Sequence, residues 1–358
     1  MNILVSAYLD NNLGDDLMII SLSKKFPEHN FYLTSSNSTV KRTFESFDNI
    51  IFHELELSDQ YLKKFSVFLS IGGSLFNDIN GVLGIIRRIK RIRILRKLKK
   101  KNIRIATIGC NLGPYNNRFG PLLTKLELKQ NSLTTVRDKD SFRYIQKFKN
   151  IKNNHLASDI VYNFSNQFEL PYISKKNILG ISAYRSIVNN EYNYSNYIFL
   201  ASVADKFIKE TNGCVRLFAF DTENENDLSP AFHIKKLSLY PDKIQIVPYI
   251  GDYKDFIQSM KECSRFIAVR FHSAILCEIL KIPFLPIVYS NKMDNYLDDL
   301  NFSGIRISIK NIPRNRQEIE EITDCLIYNK KIFNEFNYNN ELDYEIHFNE
   351  LGKLLRES

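Results

Sequence analysis

The feature that most constrains this chain is a regular alternation of two hydrophobic periods. Short apolar, β-branched runs alternate with longer segments whose apolar residues recur at three- and four-residue steps. The runs at 2–8, 31–36, 50–54, 67–73, 103–110 and 133–138 read as strands, and 15–26, 82–101 and 119–131 between them read as helices. Strand, helix, strand in this order predicts a mostly parallel sheet with helices on both faces. The rhythm fades over 162–177, a polar stretch containing Pro171, and restarts at Asn177. Strands are then expected at 177–184, 215–220, 244–249, 265–270 and 284–289, with helices at 194–211, 253–261 and 272–281. The fold class is therefore α/β, with two doubly wound domains over 1–165 and 175–330. The tail, 331–358, is rich in Asn and Glu, ends in a helical pattern, and has the reach to cross back to the first domain. A length of 358 residues suits two such cores. Ligands in these sheets bind beyond the carboxyl ends of the strands, which makes a cleft between the domains the expected site.

Composition removes several function classes. No apolar run approaches the ~18 residues of a membrane span. The opening MNILVSAYLDNN lacks a basic region and a long apolar core, so it reads as a strand rather than a signal peptide. Cys110, Cys214, Cys263, Cys277 and Cys325 are scattered and form no C-x-x-C pair. They predict neither a disulfide framework nor a metal site, and they suit a reducing, cytoplasmic compartment. The net charge is +9, but residues 85–101 alone carry ten Lys and Arg and no acid. The rest of the chain is close to neutral. One basic patch, not a general nucleic-acid surface, is the expectation.

Six places carry candidate chemistry, each just past an expected strand. The first is the loop Asp10-Asn11-Asn12-Leu13-Gly14-Asp15-Asp16. Its acids and amides suit a helix N-cap, or a role for Asn12 or Asp15 in holding a sugar hydroxyl or orienting a catalytic group. Its acids make it a poor phosphate cradle. The second is Ile71-Gly72-Gly73-Ser74, whose paired glycines allow a ligand or a tight turn close to the backbone. The third, Gly109 to Pro114, places Asn111 where a cleft wall would be. The fourth is Arg137-Asp138 with Ser141, in which Asp138 caps a helix and Arg137 is left for an anion. Arg185 has the same placement in the second domain. The fifth is Arg270-Phe271-His272-Ser273, which sets a guanidinium and an imidazole in one strand-to-helix corner. The sixth is Tyr289-Ser290-Asn291-Lys292, whose lysine is expected beside that corner.

Taken together, Asn12-Leu13-Gly14-Asp15, Gly72-Gly73, Arg137-Asp138 with Ser141, Ser158-Asp159, Arg270-Phe271-His272-Ser273, and Ile282-Pro283-Phe284 followed by Tyr289 and Lys292 resemble the polysaccharide pyruvyl transferase family. The ordered set spans roughly residues 1–300, and Phe271 stands where the family usually has Leu. The resemblance implies two Rossmann-like domains similar to the B-type glycosyltransferases. It also implies phosphoenolpyruvate as the donor co-substrate, a saccharide acceptor, and a donor site at Arg270 and His272. On that basis His272 is the expected general acid. Arg270, Arg137, Arg185, Lys292 and Ser273 are expected around the donor. Asn12, Gly14, Asp15, Gly72, Gly73 and Asn111 are expected on the acceptor side or cleft wall. This chemistry asks for no metal. The competing enzyme is a glycosyltransferase with a nucleotide-sugar donor, in which Arg270 and Lys292 hold a diphosphate and Glu278 a ribose. A non-catalytic sugar- or membrane-binding scaffold is the competitor from another class.

The basic segment carries a separate expectation. Val82, Ile85, Ile86, Ile89, Ile92, Leu95 and Leu98 recur on one helical face, expected to pack on the sheet, with the ten cations from Arg87 to Lys101 on the others. So dense a single-sign face costs helix stability unless a partner neutralises it. Anionic lipid at the inner face of the cell membrane is the expected partner, where a lipid-linked acceptor would also lie. An acidic polysaccharide is the alternative.

Overall fold

A computed structural model describes residues 1–54, 58–73, 75–76, 81–115, 117, 119–164, 175–186, 190–328 and 342–357. The chain falls into two compact units. Unit 1 comprises Met1–Leu9, Asp15–Gln167 and Asn340–Ser358, and unit 2 comprises Asp10–Gly14 and Phe168–Asn339. The division is thus not one cut at a linker. The loop that opens the first helix groups with the second unit, and the C-terminal helix groups with the first. Most of the polar stretch expected as linker (165–174), the first residues of the tail, and Ser74 lie outside the described residues.

Unit 1 is built on a seven-stranded sheet of β1 (Asn2–Ser6), β2 (Asn30–Leu33), β3 (Ile50–Phe52), β4 (Val67–Ile71), β5 (Arg104–Cys110), β6 (Leu133–Val136) and β7 (Asn154–Leu156). Every pairing is parallel, in the order β3-β2-β1-β4-β5-β6-β7. The crossovers include α1 (Leu13–Lys25), α2 (Ser38–Thr43), α3 (Asp59–Leu62), α4 (Gly81–Lys100), α5 (Phe119–Leu128) and α6 (Lys139–Lys147). Residues such as Ile3, Val67, Leu69, Ile105 and Leu133 are buried. Strands covered on both faces read as continuous apolar runs, which is why they are visible in the sequence.

Unit 2 repeats the plan with β8 (Lys176–Ser182), β9 (Cys214–Ala219), β10 (Ile244–Pro248), β11 (Cys263–Ala268), β12 (Phe284–Val288) and β13 (Ile307–Ser308). These are also all parallel, in the order β10-β9-β8-β11-β12-β13. Its helices are α7 (Asn193–Thr211), α8 (Leu228–Leu237), α9 (Tyr253–Lys261), α10 (Phe271–Ile279), α11 (Asn291–Asp299) and α12 (Arg316–Tyr328). The last helix of the chain, α13 (Glu345–Arg356), packs on β5, β6 and β7 of unit 1. In each sheet the strand order reverses once, between β1 and β4 and between β8 and β11. Such reversals are where open parallel sheets leave a crevice for ligands.

One helix departs from its sequence expectation. Of the apolar stripe on α4, only Ile92, Leu95 and Leu98 are buried, while Val82, Ile86 and Ile89 are exposed. Two of its cations turn inward instead. Arg88 and Arg91 both pair with the buried Glu127 of α5, at 3.1 and 2.5 Å. One acid on the next helix overrides the periodicity. Among the described residues, no helix is long and apolar enough to cross a membrane. Three of the cysteines, Cys110, Cys263 and Cys277, are buried, and Cys214 is exposed.

Candidate functional site

In unit 2 the switch point between β8 and β11 gathers most of the sequence candidates. β11 ends at Ala268, and α10 begins at Phe271, with Arg270 as its N-cap residue in extended conformation. The corner is pinned from within. Ser182 Oγ, at the end of β8, accepts from the amides of Val269 (2.7 Å) and Arg270 (3.1 Å). It also bonds Ser273 Oγ at 3.0 Å, and Ser273 in turn donates to the Arg270 carbonyl at 2.5 Å. Ser273 is fully buried. Its hydroxyl is engaged in holding the corner together.

Arg270 is also differently employed than expected. Its guanidinium grips the fully buried Asp227 through Nε (2.9 Å) and Nη2, and Glu225 through Nη1. Asp227 also accepts from the amides of Phe220 and Asp221, both at 3.1 Å. The loop 221–227 is therefore folded around its acids, and these carboxylates already balance the arginine. The reason is energetic, since a buried cation requires a buried counter-charge. Nothing in the polar sequence DTENEND signals this; the loop meets the corner only in three dimensions.

The aromatic side of the site is formed by Tyr184 and Tyr289, whose rings lie 4.4 Å apart, with the Arg270 guanidinium 4.7 Å from the Tyr184 ring. Burial pushes the Tyr184 hydroxyl up to about 12, and Tyr289 adds to the shift, so it stays protonated. Lys292 Nζ sits 4.0 Å from the centre of the Phe271 ring. Arg185 follows β8 and is half-buried. Among the described residues its Nε has no hydrogen-bond partner.

His272 has a structural dependence that the sequence hides. A Cβ built on Gly14 would stand 1.7 Å from His272 Nδ1, so the imidazole lies directly on the glycine's backbone. Gly14 is thus a seat for His272. Asn12 secures this seat. Its Oδ1 accepts from the Gly14 amide at 3.1 Å, and its Nδ2 donates to Asp221 at 3.4 Å. Asn11, with φ +52°, donates to Thr222 Oγ1 and to the Tyr249 carbonyl.

Unit 1 holds a second cluster, past β4, β5 and β6. Gly73 seats Arg137 as Gly14 seats His272, with a Cβ there falling 1.7 Å from Nη2. Arg137 is buried, ion-paired to the buried Asp159, and donates from Nε to Asn111 Oδ1 at 2.6 Å. Asn111 donates to Asp138, which caps α6 through the Ser141 amide at 2.7 Å. Asn111, Arg137, Asp138 and Asp159 are linked in one buried network. Arg137 therefore already has a counter-ion within unit 1. Gly72 has φ +124°, a region that favours glycine, and the Asp15 carboxylate lies 3.5 Å from where a Cβ would stand.

His347, from α13, packs beside this network. It is fully buried, with Nε2 2.6 Å from the Ser158 carbonyl and Nδ1 2.6 Å from Thr135 Oγ1. Burial lowers it from 6.5 to about 4. A histidine depressed in this way is neutral when folded, while the unfolded chain takes up its proton below about 6.5. Stability is thus complete above that value and declines as pH falls toward about 4. Between pH 7 and pH 5 this group alone should cost about 2 kcal/mol. Urea midpoints at the two pH values should show the loss. His347→Gln should be weaker at pH 7 but have a flatter pH dependence, and an unchanged slope would exclude His347 as its source.

A family model described as polysaccharide pyruvyl transferase matches residues 12–291. No curated protein matches the chain. Among solved structures, the chain is similar to S. aureus MnaA in a UDP co-structure, with TM-score 0.64 and 11% identity over 99% of this chain and 96% of that one. It is also similar to UDP-GlcNAc 2-epimerase from Neisseria meningitidis bound to UDP-GlcNAc, with TM-score 0.61 and 13% identity over 99% and 100% of the two chains. Anabaena HepE in complex with UDP-glucose gives TM-score 0.60 and 10% identity over 100% and 99%. At these identities the likeness is one of fold, the two-unit α/β plan of the B-type glycosyltransferases.

Proposed function

This chain belongs to the polysaccharide pyruvyl transferase family, and on that premise we propose that it moves pyruvate from phosphoenolpyruvate onto a saccharide of a cell-surface polysaccharide or its lipid-linked precursor. The acceptor is met at an anionic membrane surface reached through residues 85–101. The observation that carries the reading is the unit 2 corner, where the imidazole of His272 is seated on Gly14 just past β11; Arg185, just past β8, is half-buried and its Nε has no hydrogen-bond partner among the described residues.

The chemistry follows from the donor. Phosphoenolpyruvate carries a carboxylate and a phosphate, so it requires cations. Arg270 faces Asp227 and Glu225, which moves the donor-binding role toward Arg185 and Lys292. His272 gives a proton to the terminal methylene carbon, and the central carbon becomes oxocarbenium-like. A sugar hydroxyl adds there and releases its proton, for which the now neutral His272 is the acceptor. The C–O bond to phosphate then breaks and inorganic phosphate leaves. A second hydroxyl closes the ketal, and its proton goes to the departing phosphate. A positioned acid–base group of this kind contributes roughly 10²–10⁴-fold. Cations around the phosphate stabilise the leaving anion.

The nucleotide-sugar reading shares the fold but loses its ribose ligand. Glu278 is buried and accepts from the Tyr296 hydroxyl at 2.8 Å. Thermal shifts separate the two. Phosphoenolpyruvate should raise the melting temperature, with Arg185→Ala and Lys292→Ala reducing the effect. Stabilisation by nucleotide sugars and none by phosphoenolpyruvate would instead favour glycosyl transfer.

A further inference from the structure

The outward face of α4 carries two features that solvent alone does not explain. Its first half exposes Val82 (72%), Leu83 (68%), Ile86 (42%) and Ile89 (36%), which recur at helical spacing and form one apolar strip. The neighbouring helix extends the strip. Arg88 meets Thr124 and Arg91 meets Glu127, so α4 and α5 run side by side in the same direction. The exposed Phe119 and Leu122 at the start of α5 therefore stand level with the start of α4. Six large apolar residues on two neighbouring helix starts exceed the scattered exposure normal for a soluble face.

The second feature is charge. Arg87, Lys90, Arg93, Arg96 and Lys100 are all exposed on α4, and none has a carboxylate partner among the described residues. The acids near this helix serve other cations: Glu127 pairs with Arg88 and Arg91, and Asp59 with Lys97 and Lys101. Along the same flank lies a cavity of about 400 Å³. Arg87, Lys90 and Arg91 line it together with Leu9, Phe68 and Ile94. Cations above an apolar floor suit an anionic head attached to an apolar chain.

From these observations we infer that α4 and the start of α5 dock unit 1 on an anionic lipid bilayer by inserting Val82, Leu83, Ile86, Phe119 and Leu122, while Arg87, Lys90, Arg93 and Arg96 engage the headgroups. This deepens the membrane reading above, in which charge alone makes the contact. A soluble polyanion would satisfy the cations but leave the apolar strip in water. A bilayer interface satisfies both, which is why it is the occupant.

Two components of binding follow, one sensitive to salt and one resistant. The chain should sediment with vesicles of phosphatidylcholine and phosphatidylglycerol and bind far less to phosphatidylcholine alone. Arg93→Gln with Arg96→Gln should weaken binding at low salt by roughly tenfold or more. Leu83→Ser with Ile86→Ser should remove the fraction that persists at high salt. The chain has no Trp, so Leu83→Trp gives a single reporter. Its emission should shift to the blue on anionic vesicles. All of these positions are exposed, so unfolding midpoints should stay near wild type. Absence of binding to anionic vesicles at low salt would overturn the inference, as would equal binding to neutral vesicles. An unshifted Leu83→Trp emission, or complete displacement by a soluble acidic polysaccharide, would also overturn it. Pyruvyl transfer to a soluble acceptor, measured in parallel, distinguishes failure of docking from failure of the proposed reaction.

Discussion

His272→Ala should lower the turnover of pyruvyl transfer by roughly 10²–10⁴-fold, with a near-normal unfolding midpoint and little change in donor affinity. The expectation rests on position. His272 is half-buried at the start of α10, just past the carboxyl end of β11. Its loss should act on the transition state rather than on binding, so the Michaelis constant for the donor should hold while turnover falls. Gly14→Ala supplies an independent arm. The new methyl would stand 1.7 Å from Nδ1, so the imidazole must leave its seat. A displaced but intact histidine should show most of the loss seen in His272→Ala. Full turnover in His272→Ala would remove the proposed acid. Wild-type turnover in Gly14→Ala, with the defect retained in His272→Ala, would show that the seat does not fix the imidazole's position.

The second large effect is on stability. Arg270→Ala should destabilise unit 2 by about 3–5 kcal/mol, because it leaves a buried carboxylate without its counter-ion. Asp227 is fully buried and held by Nε and Nη2 of Arg270. Replacing both partners, as Arg270→Met with Asp227→Asn, should recover part of the loss, since the uncompensated charge is then gone while a side-chain oxygen still accepts from the Phe220 and Asp221 amides. Chemical denaturation of the single and double variants checks this. A normal midpoint in Arg270→Ala combined with weaker donor binding would return Arg270 to the donor site. Arg137→Ala should behave in the same way in unit 1, where Asp159 is the stranded acid.

Legibility followed burial. β1, β4, β5, β8, β11 and β12 are covered on both faces, so each is a run of apolar residues bounded by turns. β7 and β13 were not legible. They are edge strands of three and two residues, too short to show any period. α8, α11 and α12 also escaped notice, since their apolar positions are few and lie between polar surfaces. The site was legible as a set of corners, because ligand crevices in parallel sheets form past strand ends. What each corner residue touches was not.

The sequence by itself determined the two α/β halves, the strands at their centres, and the corners that hold His272, Arg270, Arg137, Arg185 and Lys292. Those follow from hydrophobic period and from turn chemistry, which are local. Only the tertiary structure decided which cations were already balanced. Arg270 meets Asp227 across 43 positions, and Arg137 meets Asp159 across 22. It also decided that Gly14 seats His272, that His347 meets Thr135 from 212 positions beyond it, and that half of the α4 stripe faces outward. Coulombic balance and close packing act through space between residues far apart in the chain, and no local pattern records them.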